Sequence, residues 1–300
     1  MSAIDLRRFV RPGAPGGQRF AWLMLTPSMV FLFAFLLLPA LLLLVLSLHN
    51  VDSMLMVLPT YSLSQYVAVF TTSAYLDALW TTIWIAALTA GICILLAYPA
   101  AWLLVSTRSR ALRTLLYLIL ISPLLTSVVI RTFAWIVLLA QNGLINTTLV
   151  KLGLLHQPLA LLWNLKAVVV AYVQVMLPFA VLPLATSFGE IPTSLTRASQ
   201  SLGAGPAYTF FKVTLPLTFP GMMSGAIIVF TLAAGSYITP LLIGGRLQPL
   251  LPITIYQQAL QIANLPLAAA LSLTLLVLTA AIAAGMNTIQ KRWEARVHGQ

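Results

Sequence analysis

Six apolar stretches, each long enough to cross a lipid bilayer, constrain this chain more than any other feature. They lie near residues 20–46, 76–105, 115–140, 166–186, 220–243 and 267–289. A helix needs about 20 apolar residues to traverse the ~30 Å hydrocarbon core, and its backbone polar groups must be satisfied there without water. Composition agrees, with 60% hydrophobic and only 7% charged residues, whereas a soluble domain carries about 25% charged. The expected fold class is an all-α membrane protein of about six transmembrane helices over residues 20–289. A basic arm at 1–19 and a basic tail at 290–300 flank it, and no long polar segment is present to build a soluble domain.

The first stretch follows Arg7, Arg8, Arg11 and Arg19, which superficially resembles a secretory leader. It is much longer than a leader's apolar core and no small-residue cleavage site follows, so it reads as a retained helix. Pro39, Pro99, Pro123, Pro178, Pro183 and Pro240 fall within the stretches and are read as kinks or span ends. Cys93 is the single cysteine. With no His or Lys near it in sequence it reads as a small packed hydrophobe. Lys and Arg in short loops set orientation. With the N-terminus inside, Arg7, Arg8, Arg11, Arg19, Arg108, Arg110, Arg113, Arg197, Lys212, Lys291, Arg292 and Arg296 are cytoplasmic, leaving Arg131, Lys151, Lys166 and Arg246 outside or within spans. An even helix count returns the C-terminus to the cytoplasm. The net charge of +11 then reflects topogenesis and anionic lipid contact. It is spread over separate loops, unlike a nucleic-acid-binding patch.

That orientation places the polar segment between the fourth and fifth stretches, about residues 187–216, in the cytoplasm. Thr193 or Ser194 is expected to N-cap a short helix after Pro192. Leu195, Ala198 and Leu202 recur at helical spacing and form one narrow apolar face. Gly203 falls where a left-handed C-cap is cheap only for glycine. Residues 207–212 suit a second short helix, with Pro216 and Pro220 closing the segment before the next apolar run. The pattern fits a docking element for a partner or an ordinary surface helical hairpin.

Ala198, Ser199, Gly203, Val213, Leu215 and Pro216 have the spacing of the EAA loop and resemble that of permease subunits in binding-protein-dependent ABC importers. Four further segments are similar to the spermidine/putrescine-type branch of that family. They are Arg131-Thr132-Phe133-Ala134-Trp135 with Asn142-Gly143-Leu144-Ile145-Asn146; Tyr237 through Gly245; Ile255-Tyr256-Gln257-Gln258; and Leu265 through Ala270. The resemblance covers residues 76–289. It implies a type I importer permease fold in a bacterial inner membrane, paired with a second permease as a heterodimer, two ATPase subunits and an external solute-binding protein. It also implies that Ser194, Leu195, Arg197, Ala198, Ser199, Leu202, Gly203, Lys212 and Pro216 form the ATPase-coupling surface. No cofactor is expected in this chain; ATP and Mg²⁺ belong to the partner ATPase.

Two positions depart from the family pattern. Arg197 replaces the acid that gives the loop its name, and Ser236 stands where relatives often carry Asp or Glu. An exposed ion pair is worth only ~0–1 kcal/mol, so docking through the apolar face and Gly203 should survive the reversal at Arg197. Intramembrane polar groups mark transport pathways because they are expensive there. Asp77, Arg131, Trp135, Gln174, Ser236, Tyr237 and Thr239 are the candidates for a substrate path. Asp77 also suits the N-terminus of the second helix, and Arg131 suits pairing with backbone carbonyls. Gly221 and Gly225 form a small-residue pair for close helix packing.

A polyamine is the leading solute that the resemblance implies, although a polycation wants carboxylates or aromatic cages and this chain has few acids. Amino-acid-like, opine-like or phosphonate solutes remain alternatives. An ion-coupled secondary transporter would show intramembrane carboxylates and inverted repeats, and neither is seen. His49, His156 and His298 fall outside the spans, with no metal motif or nucleophile–base pair for a membrane hydrolase. No phosphate-binding loop ending in Gly-Lys-Ser/Thr exists, so energy is expected from a partner; the chain reads as a transport subunit rather than an enzyme.

Overall fold

The computed structural model describes residues 15–244 and 250–298. Arg7, Arg8, Arg11, Gly245 and Arg246 lie outside the described residues, as does most of the arm at 1–19. Six helical stretches have the length and composition of membrane spans. The first is α1 (Pro15–Leu32) running through a π-helical turn at Phe33–Leu37 into α2 (Leu38–Ser47). A two-stranded antiparallel hairpin, β1 (His49–Val51) and β2 (Val57–Tyr61), and the short α3 (Ser64–Thr71) lead to α4 (Ser73–Ser106). The hairpin was not expected from sequence. Its turn is held by the Asp52 carboxylate, which accepts the N–H groups of Met54 at 2.9 Å and Met56 at 2.8 Å.

The core is the bundle of α4, α8 (Leu165–Glu190) and α11 (Leu215–Gly235). Ala86, Ala90, Cys93, Ala97 and Ala101 form a buried stripe of small residues along α4. Lipid is as apolar as leucine, so helices in it associate through close packing, and small side chains permit that. Cys93 has the packed position expected of it. On α11, a Cβ added to Gly221 would stand 2.4 Å from Ser187 Oγ and 2.8 Å from the Pro183 carbonyl of α8. At Gly225 it would stand 3.1 Å from Ala180. The two glycines therefore set the α8–α11 approach.

Three sequence expectations need correction. The stretch at 115–140 is not one helix. It divides into α5 (Arg110–Ile121), a 3₁₀ turn at Ser122–Leu125 and α6 (Val128–Leu139). Each of these 12-residue helices is only about 18 Å long. The break follows from Pro123, whose ring cannot continue the hydrogen-bond ladder, and from the extended backbone at Thr126 and Ser127.

The fifth helix does not begin near residue 220. It is helical from α10 (Pro206–Thr209) through a π-helical turn at Phe210–Thr214 into α11. Pro206 opens it at a position where no N–H is needed. The π turn immediately precedes Pro216, and Pro220 lies inside the helix. The expected separate second helix and closure at Pro216 and Pro220 are thus one continuous element. It ends at Ser236, before α12 (Ile238–Ile243).

The last helix also does not end near residue 289, because α14 (Leu265–His298) continues through residues 290–298 of the basic tail. Lys, Arg, Glu and Ala at 291–296 are good helix formers, so leaving the apolar region does not end the helix. Between α6 and α8 lies α7 (Leu144–Lys151), and α13 (Leu251–Tyr256) precedes α14. Gly143 opens α7, where any Cβ would stand 2.5 Å from the Val137 carbonyl. The fully buried Asn146 donates to the carbonyls of Ala140 and Leu159, both at 3.0 Å, and accepts Leu159 N–H at 2.9 Å. These contacts account for the Gly and second Asn of the 142–146 segment.

Gly221→Ala should lower the stability of the detergent-solubilised protein by about 1–3 kcal/mol, the usual cost of forcing extra atoms into a packed core. Gly285→Ala, where nothing lies within 4 Å of the added atom, should not. Equal thermal midpoints for the two variants would refute the close approach of α8 and α11.

Candidate functional site

The polar segment after α8 folds as α9 (Thr193–Ser201), followed by a sharp stop. No side chain caps its start, contrary to the expected role of Thr193 or Ser194. Pro192 is the N-cap, and its carbonyl accepts Leu195 N–H at 3.0 Å. The end is as expected. Gly203 has φ +81, its N–H donates to Gln200 at 2.9 Å, and Ala204 N–H donates to Ser199 at 3.1 Å. Those two bonds make a Schellman motif, which satisfies carbonyls the helix leaves open. Nothing lies within 4 Å of a Cβ added at Gly203. Backbone conformation alone, not space, demands glycine there.

The foot of the segment is tied to the core. Ser199 Oγ and Thr209 Oγ1 share a hydrogen bond at 3.0 Å, joining α9 to α10. Tyr98 of α4 packs edge-on against Phe188 of α8 at 5.1 Å and Phe210 at 5.4 Å, and its hydroxyl meets Thr218 Oγ1 of α11 at 3.1 Å. A cavity of about 470 Å³ lies between α9 and this cluster, lined by Trp102, Thr196 and Gln200 among others. The outer side is bare. Leu202 is 88% exposed and Leu195 44%, and Ser194, Arg197, Ala198 and Lys212 are exposed as well. Ser199 and Pro216 are half-buried. Of the nine residues expected at a coupling surface, seven are exposed, with Leu195 and Leu202 standing among Ser194, Arg197 and Lys212, while Ser199 and Pro216 belong to the base of the segment.

The expected path residues divide into two clusters and one outlier. Trp135 of α6 donates from Nε1 to Gln174 Oε1 of α8 at 3.4 Å. Gln174 lines a cavity of about 440 Å³ together with Ser122, Pro123 and Pro178. Arg131, one turn before Trp135, is buried and donates from Nη1 to the Pro123 carbonyl at the α5–α6 break, while its Nε has no partner. The second cluster sits at the α11–α12 break. Tyr237 stacks on Tyr256 at 5.6 Å beside a cavity of about 430 Å³, and Thr239 is buried. Ser236 is half-buried, and its carbonyl accepts the Tyr172 hydroxyl at 2.9 Å.

Asp77 belongs to neither cluster. It is exposed on α4, beyond the first turn and in helical register with the exposed Trp80 and Trp84. Sequence reading overlooked Tyr98, Tyr172 and Trp293. Their signal is a ring with a hydrogen-bonding tip amid apolar helices, where such a tip must find a partner.

Residues 94–298 match the family described as binding-protein-dependent transport system inner membrane component. The spermidine/putrescine transport system permease protein PotB of Salmonella typhimurium (strain SL1344) is 34% identical over 185 residues. That alignment covers 62% of this chain and 64% of the relative's length. PotB of Haemophilus influenzae is 31% identical over 258 residues, covering 85% of this chain and 90% of that one. Among solved structures, a chain of a bacterial ABC transporter involved in import of the acidic polysaccharide alginate superposes with a TM-score of 0.70 at 18% identity. It covers 91% of this chain and 95% of that one. The shared architecture is the type I ABC importer permease fold. The family match takes in α9, both helix breaks and the whole of α14, and the chain belongs to the family of binding-protein-dependent transport system inner membrane components, as a multi-pass inner-membrane protein.

Proposed function

We propose that this chain is the permease subunit of an ABC importer, forming a solute path and coupling it to a separate ATPase through α9. The observation that carries this reading is a glycine-capped helix with a bare apolar face, rooted in α4, α8 and α11. ATP and Mg²⁺ are held by two partner ATPase subunits, and a second permease, in a heterodimer, completes the cavity. ATP binding closes the ATPase pair, α9 moves with it, and the spans turn outward to receive solute from an external binding protein. Hydrolysis restores the inward-facing state. Both termini and the α8–α10 segment face the cytoplasm.

Polyamine is the leading solute, supported by the PotB relatives. The register of Asp77 with Trp80 and Trp84 also supplies a carboxylate and two π faces of the kind that attract organic cations. The buried Arg131 favours a second reading, in which the solute is neutral, zwitterionic or anionic.

Orientation is checked with single cysteines at the exposed Ser201 and Gln157 in a Cys93→Ser background. Membrane-impermeant maleimide added to whole cells should label Gln157→Cys alone. Labelling of Ser201→Cys from outside sinks both the topology and the docking site.

Gly203→Val should abolish ATPase co-purification, since a β-branched residue resists φ near +81 and the end of α9 must rearrange. The protein should remain in the membrane. Normal uptake by this variant counts decisively against coupling through α9.

Asp77→Asn keeps size and removes charge. Spermidine uptake should fall at least several-fold, because a hydrogen bond to a charged group is worth ~1.5–3 kcal/mol. Unchanged spermidine uptake, with impairment of the transported solute by Ser236→Asp, removes polyamine and leaves the permease reading standing.

A further inference from the structure

The C-terminal part of α14 makes a contact with α11 that backbone chemistry explains. Pro220 has no N–H, so the Pro216 carbonyl four residues earlier loses its helical donor. Trp293 Nε1 supplies one from α14, at 3.2 Å. The same indole lies against Phe219 with ring centroids 4.7 Å apart. Three residues earlier, Gln290 accepts from Ser224 Oγ of α11 at 3.5 Å and donates to Glu294 at 3.0 Å. The contact sits just past the π-helical turn that leads from α10 into α11. A continuous chain of bonds thus runs from α9 through Ser199–Thr209 to α10, along the π turn to Pro216, and across Trp293 to α14.

We propose that Trp293 is a positioning residue that clamps the proline-kinked base of α11 to α14, so that α9 and the end of α14 move as one body when the ATPase partner closes. This rests on the coupling reading of α9. Without the clamp, the bonded route from Pro216 to α14 is cut, and a displacement of α9 no longer carries the end of α14 with it. The indole serves both requirements at once: its N–H fills the vacancy left by Pro220, and its ring fixes Phe219.

The test uses the assembled transporter with its ATPase, spin-labelled at Gln200→Cys and Ala295→Cys in a Cys93→Ser background. Both positions are exposed. The distance between labels is read by pulsed electron resonance without nucleotide and with ATP and vanadate. In the otherwise wild-type protein one distance is expected, unchanged by nucleotide. Trp293→Phe keeps an aromatic ring and loses the N–H; it should split the distance into nucleotide-dependent populations, with the ATPase still bound. Adding Pro220→Ala returns an N–H to the Pro216 carbonyl but not the bond to α14, so the split should persist. Trp293→His keeps a ring N–H and should restore the single distance.

A nucleotide-dependent distance with Trp293 present, a single distance in Trp293→Phe, a Trp293→His variant as split as Phe, or full rescue by Pro220→Ala each overturns the clamp. The last would mean the indole only fills a backbone vacancy. Failure of the coupling reading is seen separately, as ATPase binding that is indifferent to Gly203→Val.

Discussion

A carbonyl that proline frees inside a membrane helix has no water to turn to, and much of this structure is arranged around answering that need. Leaving such a group bare costs about 1–3 kcal/mol, and at three places a specific donor is supplied. Pro123 frees the Ile119 carbonyl, which the Ser122 hydroxyl takes at 2.9 Å. Pro220 frees the Pro216 carbonyl, which Trp293 takes. At the α11–α12 break, the Ser236 carbonyl, which belongs to neither helix, is taken by Tyr172 at 2.9 Å. The first repair is local; the other two tie different helices together. Several residues expected along a solute path, Arg131, Trp135, Gln174, Ser236 and Tyr237, stand around the breaks at Pro123 and Ser236. Irregular backbone at membrane depth is tolerated only when buried in protein or lining a cavity, so the prolines and the cavities beside them are one feature.

Against these irregular joints stands a tight three-helix core. The alanine and cysteine stripe of α4 and the two glycines of α11 bring backbones close enough for dispersion forces to act without a hydrophobic driving force. By contrast, the described side chains of α1 are exposed, as are most of those of α2, which is held mainly by α14. The helix α9 is tied to α10 by Ser199 and Thr209, and the turn after α10 is packed on the core through Tyr98, Phe188, Phe210 and Thr218. A lever must be attached to something stiff, and here its base meets α4, α8 and α11 together.

Hydrophobic length made most spans legible, since nothing else in a sequence mimics twenty apolar residues. It located α4, α8 and α14 well, and it failed where polarity and helicity part company. Lys291 and Arg292 leave the apolar zone while remaining strong helix formers, so α14 runs on. Pro216 and Pro220 look like terminators because an isolated helix would stop there; a π turn and an indole from α14 make them tolerable. Within the stretch at 115–140 a single proline, flanked by leucine and serine, sufficed to end a helix that hydropathy runs straight through. Gly203 was readable because left-handed backbone is close to a glycine monopoly. The pairing of Tyr172 with Ser236 was not, because 64 residues separate them and no local pattern encodes a long-range donor.

One recurrence ties the starts of α8 and α14 to the same logic. Trp163 and Ala263 both adopt positive φ, +64 and +65, and each is followed by an asparagine at a helix start. Asn164 Oδ1 accepts Ala167 N–H at 2.9 Å to open α8, and Asn264 Oδ1 accepts Leu267 N–H at 3.2 Å to open α14. A non-glycine residue held left-handed costs about 1–3 kcal/mol and persists only where its surroundings over-determine it. For Trp163 the surroundings include its N–H bond to the Ile243 carbonyl at the end of α12. The strained residue thereby connects the start of α8 to the short helix beyond the Ser236 break. At one end α8 is capped against α12; along its length Tyr172 answers the carbonyl left open at Ser236; at the other end it leads into α9. A displacement of α9 therefore has a route to the break at Ser236 through α8, whose start is bonded to α12 and whose Tyr172 is bonded to the break itself.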